Sequence, residues 1–227
     1  MMDNPVTSKP ERGKTLVLVL TLLNTVLVAA ISALGVDATI RANQGNRDSQ
    51  YFAIQASGSL IQAGYKSDYD LNTFSRWLGD TQQGLIAGYS GLLQQAAGDQ
   101  LGFERLTLES QIYQAKADKA RSLSVFFVDP AYAPAPNQDQ PDFNTYMSDL
   151  YASSNALVTK QNSASDAYHH WSSKSDSYVA ILTVLAVAFF LLGVAQMAQP
   201  RIRMLFSIFA IVVMGIGVLW TLILLVS

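Results

Sequence analysis

The sequence predicts an all-α membrane protein with three transmembrane helices and an antiparallel four-helix bundle outside the membrane. Half of its 227 residues are hydrophobic and only 14% are charged, whereas soluble domains carry about 25% charged residues. The missing charge is concentrated in three charge-free stretches, residues 15–36, 177–200 and 204–227, of 22, 24 and 24 residues. Strand signals are nearly absent, because no Asn-Gly or Asp-Gly turn separates alternating apolar runs. The region between the first two stretches has the three- and four-residue apolar spacing of helices instead.

Each charge-free stretch is long enough to cross a bilayer, since about 20 apolar residues suffice for a helix. We predict transmembrane helices at 15–36, 177–198 and 204–226. The first stretch could also be read as a cleavable signal peptide. Its apolar core exceeds the roughly 7 to 15 residues typical of such peptides, which favours an uncleaved anchor.

The distribution of basic residues predicts the orientation in the membrane. Lys9, Arg12 and Lys14 lie in the N-terminal segment 1–14, and Arg201 and Arg203 lie in the predicted turn 199–203. Positive charge near membrane ends favours the cytoplasmic side. The intervening residues 37–176, with 10 Lys or Arg against 15 Asp or Glu, are therefore predicted to be extracytoplasmic, as is the C-terminus.

Two seams with helical spacing adjoin the membrane spans and predict long helices that continue from lipid into water. The first seam comprises Ile40, Gln44, Arg47, Tyr51, Ile54, Gly58, Ile61 and Tyr65. The second comprises Phe143, Met147, Leu150, Ser154, Leu157, Gln161, Ala164, Tyr168, Trp171, Ser175 and Tyr178. Their polar members leave open whether a bundle closes within one chain or is completed by another.

Two further helices are predicted between these extensions, which gives the four-helix bundle. The first runs from about Leu71 to Ala97. The second has two apolar faces, one formed by Leu101, Leu108, Ile112, Ala115 and Ser122, the other by Phe103, Leu106, Tyr113 and Ala117.

A proline-rich loop, residues 129–141, follows this helix and interrupts the helical pattern. Phe126 and Phe127 precede it. We expect them to cap the core of the bundle, and the alternative is a partner-docking tip.

Few residues offer chemistry. His169 and His170 are the only histidines. Adjacent side chains on a helix point about 100° apart, so the two cannot serve together as the axial ligands of one haem or as an i, i+4 metal pair. Together with Trp171 they are interpreted as side chains at the membrane–water boundary, and a metal or quinone contact is the alternative. The carboxylate pairs Asp68/Asp70 and Asp139/Asp142 are interpreted as helix caps. We expect no catalytic residue, no cofactor and no metal.

Polar and small residues mark the first span as a packing surface. Asn24 is an amide within the apolar stretch and should pair with a neighbouring helix. Thr21, Thr25, Ala29 and Ala33 form a stripe of small residues every four positions. Such stripes allow close helix packing in membranes, either within the chain or between chains.

Short stretches of the sequence resemble a group of bacterial three-span membrane proteins. They are residues 45–58 (GNRDSQYFAIQASG), the pair Tyr69-Asp70, and residues 174–179 (KSDSYV). The group is common in filamentous Chloroflexus-like bacteria, and no activity is assigned to it. The resemblance implies a bacterial cell membrane and the three-span topology, and supplies no catalytic residue.

The sequence thus predicts a non-enzymatic structural or accessory subunit, in contact with the bilayer and with other membrane proteins or copies of itself. Nucleic acid is not expected as a partner, since the net charge is −2 and no basic cluster occurs. The alternative is an extracytoplasmic sensor signalling through another membrane protein, because a bundle between two spans resembles bacterial chemoreceptor ectodomains. A membrane enzyme or pigment-binding subunit ranks last, because the spans contain no histidine.

Overall fold

All regular structure in the described residues, 12–135 and 140–226 of this computed structural model, is helical. Five helices occur in these ranges: α1 Arg12–Ala96, α2 Gln100–Leu123, α3 Val125–Val128, α4 Phe143–Met197 and α5 Pro200–Val226. The predicted all-α class is confirmed. Helices α1, α4 and α5 are each long and apolar enough to cross a membrane, which indicates a multi-pass membrane protein.

Helix α1 is continuous for 85 residues, so the prediction of a separate helix from Leu71 to Ala97 is wrong. No proline or glycine interrupts residues 65–78. Asp70, interpreted as a helix cap, instead lies within α1 and accepts a hydrogen bond from the Tyr146 hydroxyl. Between the extensions of α1 and α4, the described residues therefore contain one long inserted helix, α2, and the single turn α3.

Contacts divide the chain into two compact units, which are described separately. The first comprises residues 1–50 and 162–227, and the second comprises residues 51–161.

The first unit contains the three apolar helices. Its buried core includes Ile31, Tyr178, Leu185 and Met214. Helices α1 and α4 run antiparallel, since Gly35 faces the Tyr178 side chain and Gly45 lies against the α4 backbone. A Cβ on Gly45 would lie only 2.9 Å from the Tyr168 nitrogen and 3.0 Å from the Ala164 oxygen. Glycine thus permits a close backbone approach.

The turn between α4 and α5 is held by Arg203, which is 8% exposed. Its guanidinium donates to the carbonyls of Ala195 and Ala198 at 3.3 and 3.0 Å. These carbonyls lie at the end of α4, where they have no partner within the helix. Because α5 begins at Pro200, a favoured residue in the first helical turn, Arg203 lies in its first turn.

The second unit is built on the distal part of α1, which packs against α2 and against the beginning of α4. The Ser110 hydroxyl donates to the Gly84 carbonyl at 2.7 Å, and Gly88 and Gly91 also lie against α2 side chains. Closer to residue 51, the Ser154 hydroxyl donates to the Ala56 carbonyl at 3.4 Å. Small residues of α1 therefore face both partner helices.

Local sequence determines where the helices of the second unit begin. Gly98 adopts a positive φ of 82°, which ends α1, and the Asp99 carboxylate accepts from the Gly102 nitrogen at the start of α2. The predicted cap at Asp142 is confirmed, since it accepts from the Thr145 nitrogen at 3.0 Å. This bond lowers the pKa of the Asp142 carboxyl. Its predicted partner Asp139 lies outside the described residues.

Candidate functional site

Asn24 is fully buried in the first unit, where its side chain pairs α1 with α4. Its Nδ2 donates to the Leu185 carbonyl at 3.2 Å, and its Oδ1 is buried without a partner in the described part of the chain. The predicted need for a neighbouring helix is thus met within the chain.

The stripe of small residues beside Asn24 is largely uncovered. Thr25, Ala29 and Ala33 are all exposed. The Thr25 hydroxyl donates to the Thr21 carbonyl of its own helix at 2.9 Å, so it does not require a second helix. These three side chains face away from the packed surface of α1 and are open to lipid or to another protein.

The histidines are exposed and lie beside aromatic rings. The rings of His169 and Tyr168 are 5.1 Å apart, and those of His170 and Trp171 are 5.4 Å apart. Trp171 is partly buried, with the Arg41 guanidinium 4.7 Å above its ring. Among the described residues, no group of three or more His, Cys, Asp or Glu side chains could hold a metal.

Phe126 and Phe127 lie in an aromatic cluster of the second unit, where α3 meets α1 and the start of α4. Phe126 is fully buried, with ring centroids 4.8 Å from Phe143 and 4.8 Å from Tyr146. Phe127 contacts Trp77 at 4.5 Å. The structure therefore places Phe126 in the core, as expected of a capping residue, and not at an exposed tip.

A buried polar pair next to this cluster was not found from the sequence. The Tyr146 hydroxyl donates to Asp70 Oδ2 at 2.7 Å, and the two residues are 1% and 5% exposed. Burial, followed by the hydrogen bond to Asp70, raises the pKa of the Tyr146 hydroxyl. The signal in the sequence is a set of α1 positions at seven-residue spacing, most of them small. The set comprises Ala56, Ala63, Asp70, Trp77, Gly84 and Gly91, and the structure shows all six buried or partly buried. The pair fixes α4 against α1 and offers no accessible acid.

The two predicted seams differ in their exposure. Every member of the α4 seam from Phe143 to Tyr178 is buried or partly buried, which confirms it as a packing face. Every member of the α1 seam from Ile40 to Tyr65 is exposed, so this seam does not pack against another helix of the described chain. The face of α1 that is buried carries smaller residues such as Ala56 and Ala63.

The part of the exposed α1 seam in the second unit is termed the outer stripe, and comprises Tyr51, Ile54, Gly58, Ile61 and Tyr65. The side chains of Ile54 and Tyr65 are 74% and 75% exposed, and those of Tyr51 and Ile61 are 57% and 59% exposed. At a rise of 1.5 Å per residue, Tyr51 is roughly 22 Å along α1 beyond Val36, the last residue of the first apolar stretch. The outer stripe is thus an apolar helix face beyond the span that no other helix of the described chain covers.

A second uncovered surface is a groove between α1 and α2. It has a volume of about 440 Å³ and combines apolar and polar walls. Its lining includes Leu85, Tyr89, Phe103, Gln111 and Gln114.

The fold and the exposed surfaces place this chain in the class of all-α, multi-pass membrane proteins. Its main surface features are helix faces that no other helix of the described chain covers. No family model matches the chain, and neither a curated protein nor a solved structure is significantly similar to it.

Proposed function

We propose that the protein is a non-enzymatic structural or accessory subunit of a bacterial cell membrane, which packs against partner membrane proteins or copies of itself. In this proposal the N-terminus lies in the cytoplasm, and residues 37–176 and the C-terminus lie on the extracytoplasmic side. The Lys and Arg residues near residue 14 and between the last two spans support this orientation.

The outer stripe carries this proposal. Soluble surfaces rarely expose contiguous apolar patches, and larger ones mark interaction sites. Four large apolar or aromatic side chains with coiled-coil spacing lie on one face of a helix that has left the apolar stretch. Such a face is stabilised when another helix covers it.

The exposed small side chains of the first span support the same conclusion within the membrane. Thr25, Ala29 and Ala33 are uncovered in a segment where close packing depends on small residues. The buried polar groups Asn24 and Asp70 are engaged in packing between helices, so they do not form an open site for chemistry.

Extraction in several mild detergents tests the proposal. The expected particle has a protein mass well above that of one 24.7 kDa chain, as measured by light scattering, and mass spectrometry identifies its constituents. Recovery as a single chain in all of these detergents, and again in lipid nanodiscs, contradicts the proposal.

The groove between α1 and α2 favours a second candidate function, an extracytoplasmic sensor that signals through another membrane protein. Glutamine and tyrosine side chains beside apolar walls suit a small organic ligand. Screening the purified full chain with small metabolites tests this candidate. A saturable rise in Tm supports the sensor, and a flat response across the screen contradicts it.

A further inference from the structure

We infer that the outer stripe is covered by the outer stripe of a second copy of this chain, parallel and in register. This inference rests on the proposed function and specifies the partner at one surface. Each layer of the contact then pairs identical residues, Tyr51 with Tyr51 through to Tyr65 with Tyr65.

The spacing of the outer stripe is that of a two-helix coiled coil. Its members are separated by three, four, three and four residues, so they form two series with a seven-residue repeat: Tyr51, Gly58 and Tyr65, and Ile54 and Ile61. At about 100° per residue, the outer stripe lies on the side of α1 opposite Ala56 and Ala63, which face α4. A second helix can therefore occupy this face without displacing α4.

The membrane determines the direction of such a contact. Two copies inserted in one bilayer with the same orientation have parallel α1 helices, and a twofold axis along the membrane normal places identical residues opposite each other. Each copy contributes α4 and α1 at this level. The assembly then presents four helices at this level, in the order α4, α1, α1, α4.

Gly58 lies at the middle of the outer stripe and supports close contact with another helix. A Cβ on Gly58 would meet no atom of the described chain within 4 Å, so nothing within the described chain requires glycine there. Glycine inside a helix is less stable than alanine. Packing against a second helix explains glycine at this position, because the absence of a side chain allows the two backbones to come close.

The pattern of charge favours a second copy over a different protein. Residues 49–65 contain no charged side chain, although this part of α1 lies beyond the apolar stretch. Charges of one sign would face themselves across a twofold axis and repel, whereas a different partner could carry complementary charges. The charged residues at the two ends have mixed signs, Arg47 and Asp48 before the segment and Lys66 and Asp68 after it.

Disulfide trapping in native membranes tests the inference, and the chain offers a clean background because it contains no cysteine. We expect single-cysteine variants Ile54→Cys and Ile61→Cys of the full chain to form reducible dimers on oxidation. The matched control is Ala152→Cys, at an exposed position of α4 in the same unit. Both stripe variants should give several-fold more dimer than this control, because a disulfide requires Cα atoms within about 7 Å.

A mixture of differently tagged Ile54→Cys and Ile61→Cys chains tests the register. The two positions are roughly 10 Å apart along a helix, so parallel in-register helices should give disulfides between identical variants and few between the two. Predominantly mixed disulfides contradict the parallel arrangement. Dimer yields equal to that of Ala152→Cys in both stripe variants overturn the inference.

The mass of the extracted particle distinguishes failure of this inference from failure of the proposed function. Where the extracted particle exceeds one chain but the stripe variants do not cross-link above the control, a different partner covers the stripe, and the proposed function stands without the inference. Where the particle is a single chain in detergents and nanodiscs, the proposed function itself fails. As a second variant, Ile54→Asp should abolish the dimer while leaving the helical circular dichroism unchanged, since it places two like charges in contact at an exposed position.

Discussion

At the scale of single residues, Asp70 and Tyr146 form a buried hydrogen bond between two side chains of the second unit. A carboxylate removed from water is costly unless it accepts hydrogen bonds, and Tyr146 supplies one at 2.7 Å. The pair also orients Tyr146 within the aromatic cluster, where its ring contacts Phe126 at 4.8 Å. It thereby links the start of α4 to the middle of α1.

Substitution Tyr146→Phe should reduce the free energy of unfolding by about 1–3 kcal/mol, because it leaves the buried Asp70 carboxylate without its donor. Chemical denaturation of the purified chain, followed by circular dichroism, measures the change. The control is Tyr69→Phe, which removes a hydroxyl from a residue that is 61% exposed and should have little effect. An equal decrease in the free energy of unfolding in both variants would show that the buried Tyr146 hydroxyl contributes no more to stability than the exposed Tyr69 hydroxyl.

The same tyrosine makes stability depend on alkaline pH. Because the pKa of Tyr146 is raised above its usual 10.0 in the folded chain, the folded state retains this proton to higher pH than the unfolded state. Its contribution to stability is therefore complete below about pH 10 and is lost as the pH rises further. Denaturation curves between about pH 9 and about pH 11 should show a smaller decline for Tyr146→Phe than for the natural chain. Parallel declines contradict this assignment.

At the scale of elements, α1 carries two faces with helical spacing, one of large side chains and one of small ones. The small face packs against α4, whose own seam contains larger residues such as Phe143 and Leu157. Small residues on one helix allow bulky residues of the other to fill the space between them, as close-packed interiors require. The pairing leaves the outer stripe uncovered.

The close approach at Gly45 is the sharpest test of this packing. Gly45→Ala should lower the apparent Tm in detergent, by the equivalent of about 1–3 kcal/mol, because the new Cβ would meet the α4 backbone at 2.9 to 3.1 Å. Gly64→Ala is the control, since a Cβ there meets nothing within 4 Å and gains helix propensity of up to about 1 kcal/mol. A Gly45→Ala variant as stable as the control would show that α1 and α4 are not closely packed at this position.

Elements that depend on one dominant signal are predictable from the sequence. The three apolar stretches, the α4 seam and the cap at Asp142 depend on hydropathy, periodicity and a local hydrogen bond, which can be read from the sequence. The face of α1 that packs against α4 is not predictable in this way, because hydrophobic spacing identifies Ile54 and Ile61 more strongly than Ala56 and Ala63. Packing against α4 depends on the facing side chains. Asp70 was misassigned because its partner Tyr146 is 76 positions away in the chain.

At the scale of the whole molecule, the exposed outer stripe and the uncovered small residues of the first span favour a protein that functions by association. The proposed orientation of the protein in the membrane can be tested with single-cysteine variants, because the natural chain contains no cysteine. Cysteine at Ala152 should react with a membrane-impermeant maleimide in cells with a permeabilised outer envelope and an intact cytoplasmic membrane, because residues 37–176 are proposed to be extracytoplasmic. Cysteine at Gln199, in the turn between α4 and α5, should react only after the cytoplasmic membrane is opened. The reverse pattern contradicts the orientation.

The central claim is that the protein functions in association with further membrane chains, and the most direct measurement is the protein mass of the particle released from native membranes into lipid nanodiscs without detergent. The account predicts a particle containing at least two chains, either copies of this protein or this protein with partner membrane proteins. A particle of a single 24.7 kDa chain, found at all expression levels, would contradict it.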